Sequence, residues 1–462
     1  MRVGSAVLVA LLLQTLVPPL APGVAVGAAG PATGAGGGGG AGPGGLRTAG
    51  TATPGQPFYE IGGNATYSLD VSWSYVNKGL FPATIRVWNA RLVDWGPSRQ
   101  PDAPPYQVVD LKSLAFSPPS TNHVASDPDA YGNAFDYFEV TLGNNEAFTY
   151  HAKYEVTLNR VEWNDEALAG LTEDLYDRTD PEYQLYTRND STIQSNDPAI
   201  VNVSSQIVDP DDDVVTKAKK IQQFVVDHLN YELQQVEHGA LWALEKAKGD
   251  CSEFADLTIA LLRAQGIPAR KVVGWAFMEV AQDGSFYPML GLREGQRWSY
   301  LAYARRYTDA AAGNNLTGHA WVQYLVPGAG WVATDPTWDQ VAPYRNRIDH
   351  IHLTTVHGQD FQGDGINPPL PDVLTEFSLT PVIYYPSNQM FTYDFTMDVE
   401  VLAVNLPPGG GSLPQSLVAF VLVMAGITAL TVAVLGVATR RGSARKHPRS
   451  GRPASDAEFD GW

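Results

Sequence analysis

The chain has a single cysteine, Cys251, in the run Gly249-Asp250-Cys251-Ser252-Glu253-Phe254-Ala255, which leads on to Gly266-Ile267-Pro268-Ala269-Arg270. One thiol excludes an internal disulfide and any multi-cysteine zinc site. Its remaining chemistry is that of a nucleophile. Apolar residues recur at helical spacing at Phe254, Leu257, Leu261 and Leu262. Asp250 or Ser252 can act as N-cap, and Gly266 with Pro268 ends the pattern. Cys251 is thus expected in a first helical turn, where free amides and the macrodipole favour a thiolate and can hold an oxyanion. The competing reading is a small residue buried at a helix start.

A nucleophilic thiol needs a base, and the base needs an orienting acceptor. There are 9 histidines to choose from. His228 and His238 lie on or beside helical pieces and are expected in solvent. His350, His352 and His357 cluster downstream without the spacing of a metal site. His319 differs, because it opens a strand just after Gly318, where backbone can approach a neighbouring element. That strand, His319 to Tyr324, turns near Pro327-Gly328 and returns as Trp331 to Asp335. If the loop is Val326-Pro327-Gly328, His319 faces Asp335 with Cβ atoms about 4.5–5.5 Å apart. If the turn runs from Pro327 to Gly330, Asp335 faces Val322 and the pairing is lost. Both registers are open, and Asp339 is a weaker acceptor.

The rest of the chain must hold these residues in place. Its 462 residues exceed one ordinary domain. A net charge of −18 and a pI of about 4.8 argue against non-specific nucleic-acid binding and favour solubility, even a high-salt habitat. Residues 1–26 read as a signal peptide, with an apolar core from Val7 to Leu13 and a small-x-small site at Gly23-Val24-Ala25. Residues 27–57 form a Gly/Ala/Pro-rich linker. Alternating strands over 58–165, broken by turns such as Asp129-Ala130-Tyr131-Gly132-Asn133, suggest an antiparallel β-sandwich.

Asp211 to Leu229 reads as a helix begun by an acidic triplet, which caps it and lacks the spacing of a calcium loop. A helical piece near Leu241-Leu244 follows. Beyond the cysteine helix, Val272 to Phe277 is a strand, and Glu279 to Asn315 is an irregular, aromatic-rich connection of the length of a functional flap. Residues 372–405 alternate again as a β-rich extension, and 406–416 is a linker. Leu417 to Thr439 is a 23-residue charge-free run, long enough to span a bilayer. The basic tail 440–462 then puts that end in the cytoplasm and the bulk of the chain outside the cell membrane. Sequons stand at Asn64, Asn189, Asn202 and Asn315.

The cysteine run with Leu261-Leu262-Arg263-Ala264-Gln265-Gly266-Ile267-Pro268-Ala269-Arg270 resembles the cysteine block of the transglutaminase-like superfamily. Gly318-His319-Ala320-Trp321-Val322 resembles its histidine block. Gly330-Trp331-Val332-Ala333-Thr334-Asp335-Pro336-Thr337 resembles its aspartate block. The three stand in the family's order and cover roughly residues 205–340. The β region before them, with Asp129 to Asn133, is similar to the β domain that often precedes this core in prokaryotic members.

The resemblance implies an α+β, papain-like domain over 166–371, with the cysteine helix packed on an antiparallel sheet. It implies Cys251 as nucleophile, His319 as base and Asp335 as its orienting acceptor, acting on an amide of a protein or peptide through a thioester. The Cys251 amide, aided by Tyr231 or Trp242, would hold the oxyanion. No cofactor and no metal is implied. Water would make the enzyme a peptidase or amidase, and an amine would make it a transglutaminase. Two other classes compete: an inactive membrane-anchored binding or structural module, and a metal-dependent hydrolase built on His350, His352 and His357.

Overall fold

A computed structural model of the protein describes residues 57–97, 103–125, 128–129, 131–234, 237–280, 286–289, 291–304, 312–314, 318–340, 343–358, 382–384 and 390–407. The expected leader, the apolar run 417–439 and the basic tail lie outside these residues. Among the described residues no helix is long and apolar enough to cross a membrane.

Period-two alternation shapes the first part of the chain. It forms β1 (Tyr59–Asn77), β2 (Ala83–Arg91), β3 (Gln107–Ser117), β4 (Asn122–Ala125), β5 (Ala134–Leu142) and β6 (Ala147–Trp163). One face of β1 buries Tyr67, Leu69, Trp73 and Tyr75, as a half-buried strand requires. Six helices follow: α1 (Asp165–Leu168), α2 (Pro181–Thr187), α3 (Pro198–Ile207), α4 (Val214–His228), α5 (Ala240–Lys246) and α6 (Cys251–Ala264). Between them, β7 (Asn230–Tyr231) pairs in parallel with β8 (Lys248–Gly249).

Next come β9 (Ala269–Ala276), β10 (Met278–Val280), β11 (Phe286–Pro288), β12 (Arg297–Ala304), β13 (Ala312–Asn314), β14 (Gly318–Val326) and β15 (Gly330–Thr334). The last strands are β16 (Arg347–Ile348), β17 (His352–His357), β18 (Val382–Tyr384) and β19 (Phe391–Asn405). The chain divides into a main unit, residues 1–279 with 288–412, and a small one, 280–287 with 413–462. The described part of the small unit belongs to the β10–β11 pair.

The largest sheet runs β13-β12-β19-β1-β6-β16, with β3 also on β6. Strands from both ends of the chain therefore share it: β19 lies along β1 from Asn64↔Asn405 to Asn77↔Phe391. The connection expected to be irregular after Glu279 supplies β12, which pairs antiparallel with β19. Two of its aromatics are packing groups: Tyr300 is buried, and Trp298 meets Phe277 edge-on with ring centroids 5.4 Å apart. A second sheet, β18-β2-β5-β4, turns Phe138 of β5 toward Phe148 and Tyr150 of β6.

The third sheet, β15-β14-β9-β17, is antiparallel throughout and carries the candidate site. Helix α6 packs on it and against α3, α4 and α5. Every residue from Glu253 to Arg263 is buried, so α6 is a core helix enclosed on all sides rather than one with a wet face. That burial fixes the position of its first turn, and with it Cys251.

Candidate active site

The start of α6 is determined locally. Asp250 is the N-cap: its Oδ1 accepts from Ser252 N at 3.0 Å, and Asp250 N donates to Glu253 Oε2 at 2.9 Å. This reciprocal capping box makes Cys251 the first helical residue. Gly266, with φ +74°, follows the helix end and permits the left-handed step there. The Cys251 side chain is half-buried, and its sulfur accepts a hydrogen bond from the backbone N–H of Ala320, the neighbour of His319.

His319 and Asp335 meet through a register that neither expected hairpin describes. The chain pairs Val326 with Gly330 and Val322 with Thr334. The loop is Pro327-Gly328-Ala329, closed by Ala329 N donating to Val326 O at 3.0 Å. Positive φ at Gly328 (+73°) and Gly330 (+84°) makes this turn possible. Extended by one residue, the register sets Asp335 opposite Trp321, so His319 is its diagonal neighbour on the same face. Diagonal pairs lie within reach of long side chains, and His319 Nε2 reaches Asp335 Oδ2 at 2.6 Å.

Asp335 is buried, and burial alone would push its carboxyl up. The charge and hydrogen bond of His319, followed by those of His352, bring it down to about 2. An ionised carboxylate only accepts, so His319 Nε2 carries the proton and donates it. Nδ1 is left with the free lone pair, the form a general base needs. The other carboxylate oxygen, Oδ1, accepts from Thr337 N at 3.0 Å and Trp338 N at 3.1 Å, which fixes its orientation.

The surroundings reverse the expectation that Cys251 is acidified by its helix. Burial pushes the thiol up, and the Asp250 carboxylate adds to this. The Ala320 amide opposes, while Glu253 and Asp335 push up again. Burial first, and Asp250 next, outweigh the Ala320 amide, so the thiol is pushed up and a base is needed to take its proton. Glu253 itself is raised to about 7, first by burial and then by Asp250.

Of the two side chains considered for oxyanion support, Tyr231 stands beside the site. Burial, and next the nearby Cys251, hold its hydroxyl well above the usual range, so it remains a donor. Trp242 instead stacks on His238, with centroids 4.1 Å apart, and lies 5.9 Å from Lys248 Nζ. Asp339 serves elsewhere: it accepts from Tyr344 N and pairs with Arg345.

The three downstream histidines do not converge on one point. His357 stacks on Trp95 at 3.7 Å and bonds Tyr106 Oη at 2.8 Å. His352 enters the site from β17. Its Nε2 lies 3.3 Å from Asp335 Oδ2 and its Nδ1 2.6 Å from Asp349 Oδ1. The sequence offered His352 only as a candidate metal ligand and did not indicate its place beside Asp335. His319, Asp335 and His352 present ligand-type atoms within 4.8 Å of one another. The 2.6 Å His319–Asp335 separation is that of a hydrogen bond, closer than two donors on a shared ion at about 2.0–2.2 Å would lie. Trp321 and Trp338 pack around both imidazoles, with ring centroids 5.2 to 5.9 Å away.

A thiol at a helix start and, on the antiparallel sheet packed against that helix, an imidazole bonded to a carboxylate are the parts that a cysteine nucleophile would need. Residues 201–336 match the family model described as the Transglutaminase-like superfamily. A protein-glutamine gamma-glutamyltransferase of Pseudomonas aeruginosa is 31% identical over 132 residues, covering 28% of this chain and 16% of that protein. An uncharacterised Bacillus subtilis protein is 24% identical over 163 residues, 33% of this chain and 19% of its own. The chain thus spans under a fifth of the length of either relative. Among solved structures, a candidate cysteine protease from Cytophaga hutchinsonii aligns over 77% of this chain and 98% of its own, at 15% identity and a TM-score of 0.45.

Proposed function

We propose that the protein is a cell-surface cysteine enzyme acting on amide bonds of proteins or peptides through Cys251, His319 and Asp335. The observation that carries this reading is the His319 Nε2–Asp335 Oδ2 bond of 2.6 Å, formed on the strand whose next amide meets the Cys251 sulfur. His319 Nδ1 takes the thiol proton as sulfur attacks the substrate carbonyl. The amide of Cys251 and the Tyr231 hydroxyl are the donors for the oxyanion. As the intermediate collapses, the C–N bond breaks, the leaving amine takes the proton from His319, and a thioester on Cys251 remains. Water or a primary amine then attacks the thioester, His319 accepts its proton, and the thiol is restored.

In this reading the catalytic part lies outside the membrane, ahead of the apolar run 417–439 and the basic tail. The support is the charge-free length of that run and the Arg/Lys cluster after it.

The full chain should be incubated with a glutamine-containing peptide, with and without a primary amine. Mass spectrometry is expected to show a hydrolysed or amine-substituted amide with wild type and none with Cys251→Ala. The same product from the Ala variant would overturn the proposal, as would no product from either with a panel of peptide amides.

A further inference from the structure

We propose that His352 is a positioning residue of this site: bonded at both ring nitrogens, to Asp335 and to Asp349, it is a buried cation that fixes the carboxylate aligning His319. The inference rests on the proposed roles of Cys251, His319 and Asp335 and adds a fourth residue to them.

The geometry is specific. His352 is 1% exposed, and each of its nitrogens faces a carboxylate oxygen, Nε2 to Asp335 Oδ2 and Nδ1 to Asp349 Oδ1. A neutral imidazole has one N–H and can donate to only one of them; the protonated ring donates to both. Asp349 is held in turn by Ile351 N at 3.1 Å, through Oδ1, and by the Tyr344 hydroxyl, through Oδ2. An unbroken line therefore runs Tyr344, Asp349, His352, Asp335, His319. The titratable groups around the ring are Asp335, Asp349, His319, at 5.5 Å between ring centroids, and Tyr344 at 5.9 Å, with His350 and Tyr67 acting on Asp349 from behind. Burial works against the charge on His352, but Asp349 first and then Asp335 outweigh it and raise the ring to about 9. The cation is therefore fully present near neutrality and is lost only as pH rises through that value.

Two consequences follow for the reaction. Asp335 Oδ2 is shared between two imidazoles, so the carboxylate cannot swing away from His319 without also leaving His352. The positive ring also offsets part of the Asp335 charge that faces His319.

The test uses the full chain and the pH profile of Cys251 alkylation by iodoacetamide. Two variants are compared with wild type, with thermal unfolding recorded for each. Asp349→Asn removes charge and keeps shape, since its amide oxygen can still accept from Ile351 N and His352 Nδ1. His352→Gln removes the ring charge while leaving a donor for Asp335. Without the cation the acid limb of the profile is expected to move up by about one pH unit in His352→Gln, and in the same direction by less in Asp349→Asn. Well below the midpoint of the wild-type limb the alkylation rate should then fall about tenfold in the former. An unmoved acid limb in both variants, whatever happens to the melting temperature, overturns the inference, because packing alone does not titrate. If His352→Gln does not fold, Asp349→Asn decides. A wild-type profile that ignores His319→Ala would instead sink the assignment of His319 itself.

Discussion

Asp335→Asn will lower turnover on any amide the wild type accepts by about 10³–10⁴-fold, with the fold retained. The reason lies in how the side chain is held. The backbone N–H groups of Thr337 and Trp338 both donate to Oδ1. An asparagine there must keep its oxygen at that position, so its NH₂ group falls where Oδ2 was. Two ring nitrogens, His319 Nε2 and His352 Nε2, already point N–H groups at that atom. Donor would face donor. His319 can relieve the conflict only by moving its proton to Nδ1, which removes the lone pair that takes the thiol proton. Steady-state kinetics with circular dichroism as a folding control checks this. Turnover within tenfold of wild type would show that Asp335 does not set the tautomer.

Gly274→Ala is expected to cost about 3 kcal/mol of stability and to disturb the site from behind. Gly274 is on β9, paired with His319 on one side and Thr354 on the other. A Cβ there would meet Leu353 O at 1.9 Å, Leu353 C at 2.9 Å and Thr354 Cα at 3.0 Å. All three are backbone-side obstacles on β17, so relief requires the strand to move rather than a side chain to rotate. β17 carries His352, and the ladder is already irregular between Thr354 and Val356. Chemical denaturation should show the loss, and alkylation of Cys251 in the fraction still folded should slow. A variant as stable as wild type would mean that β17 can shift freely at this point.

The parts of the site legible in the sequence are those set by local pattern. The capping residues and apolar spacing of 251–264 define α6 almost to the residue, and alternation defines β9, β14 and β15. The register of β14 on β15 was not legible, because it depends on left-handed backbone at both Gly328 and Gly330. Moving the three-residue loop along by one position takes His319 from facing Asp335 to sitting diagonal to it, and a fourth loop residue would put them on opposite faces.

Long-range pairing hid the rest. His352 reaches the site only because β17 pairs with β9, some 80 residues earlier, and no local feature announces that. The strand β12 was hidden in an aromatic-rich stretch for the same reason: its partner, β19, lies about a hundred residues further on. Helix amides and the neighbouring Asp250 are read from the sequence, whereas the burial that does most to push the Cys251 thiol up arrives through the fold.

Whether His319 serves Cys251 can be measured without knowledge of the substrate. Cys251 is the only thiol in the chain, so its alkylation rate against pH is read without ambiguity in wild type and in His319→Ala. The thiol is pushed up by its surroundings, so without the base its reactivity should appear only at high pH. The account predicts a rate at pH 7 at least tenfold lower in His319→Ala, with the profile displaced upward by more than one unit. Superimposable profiles for the two proteins would contradict it.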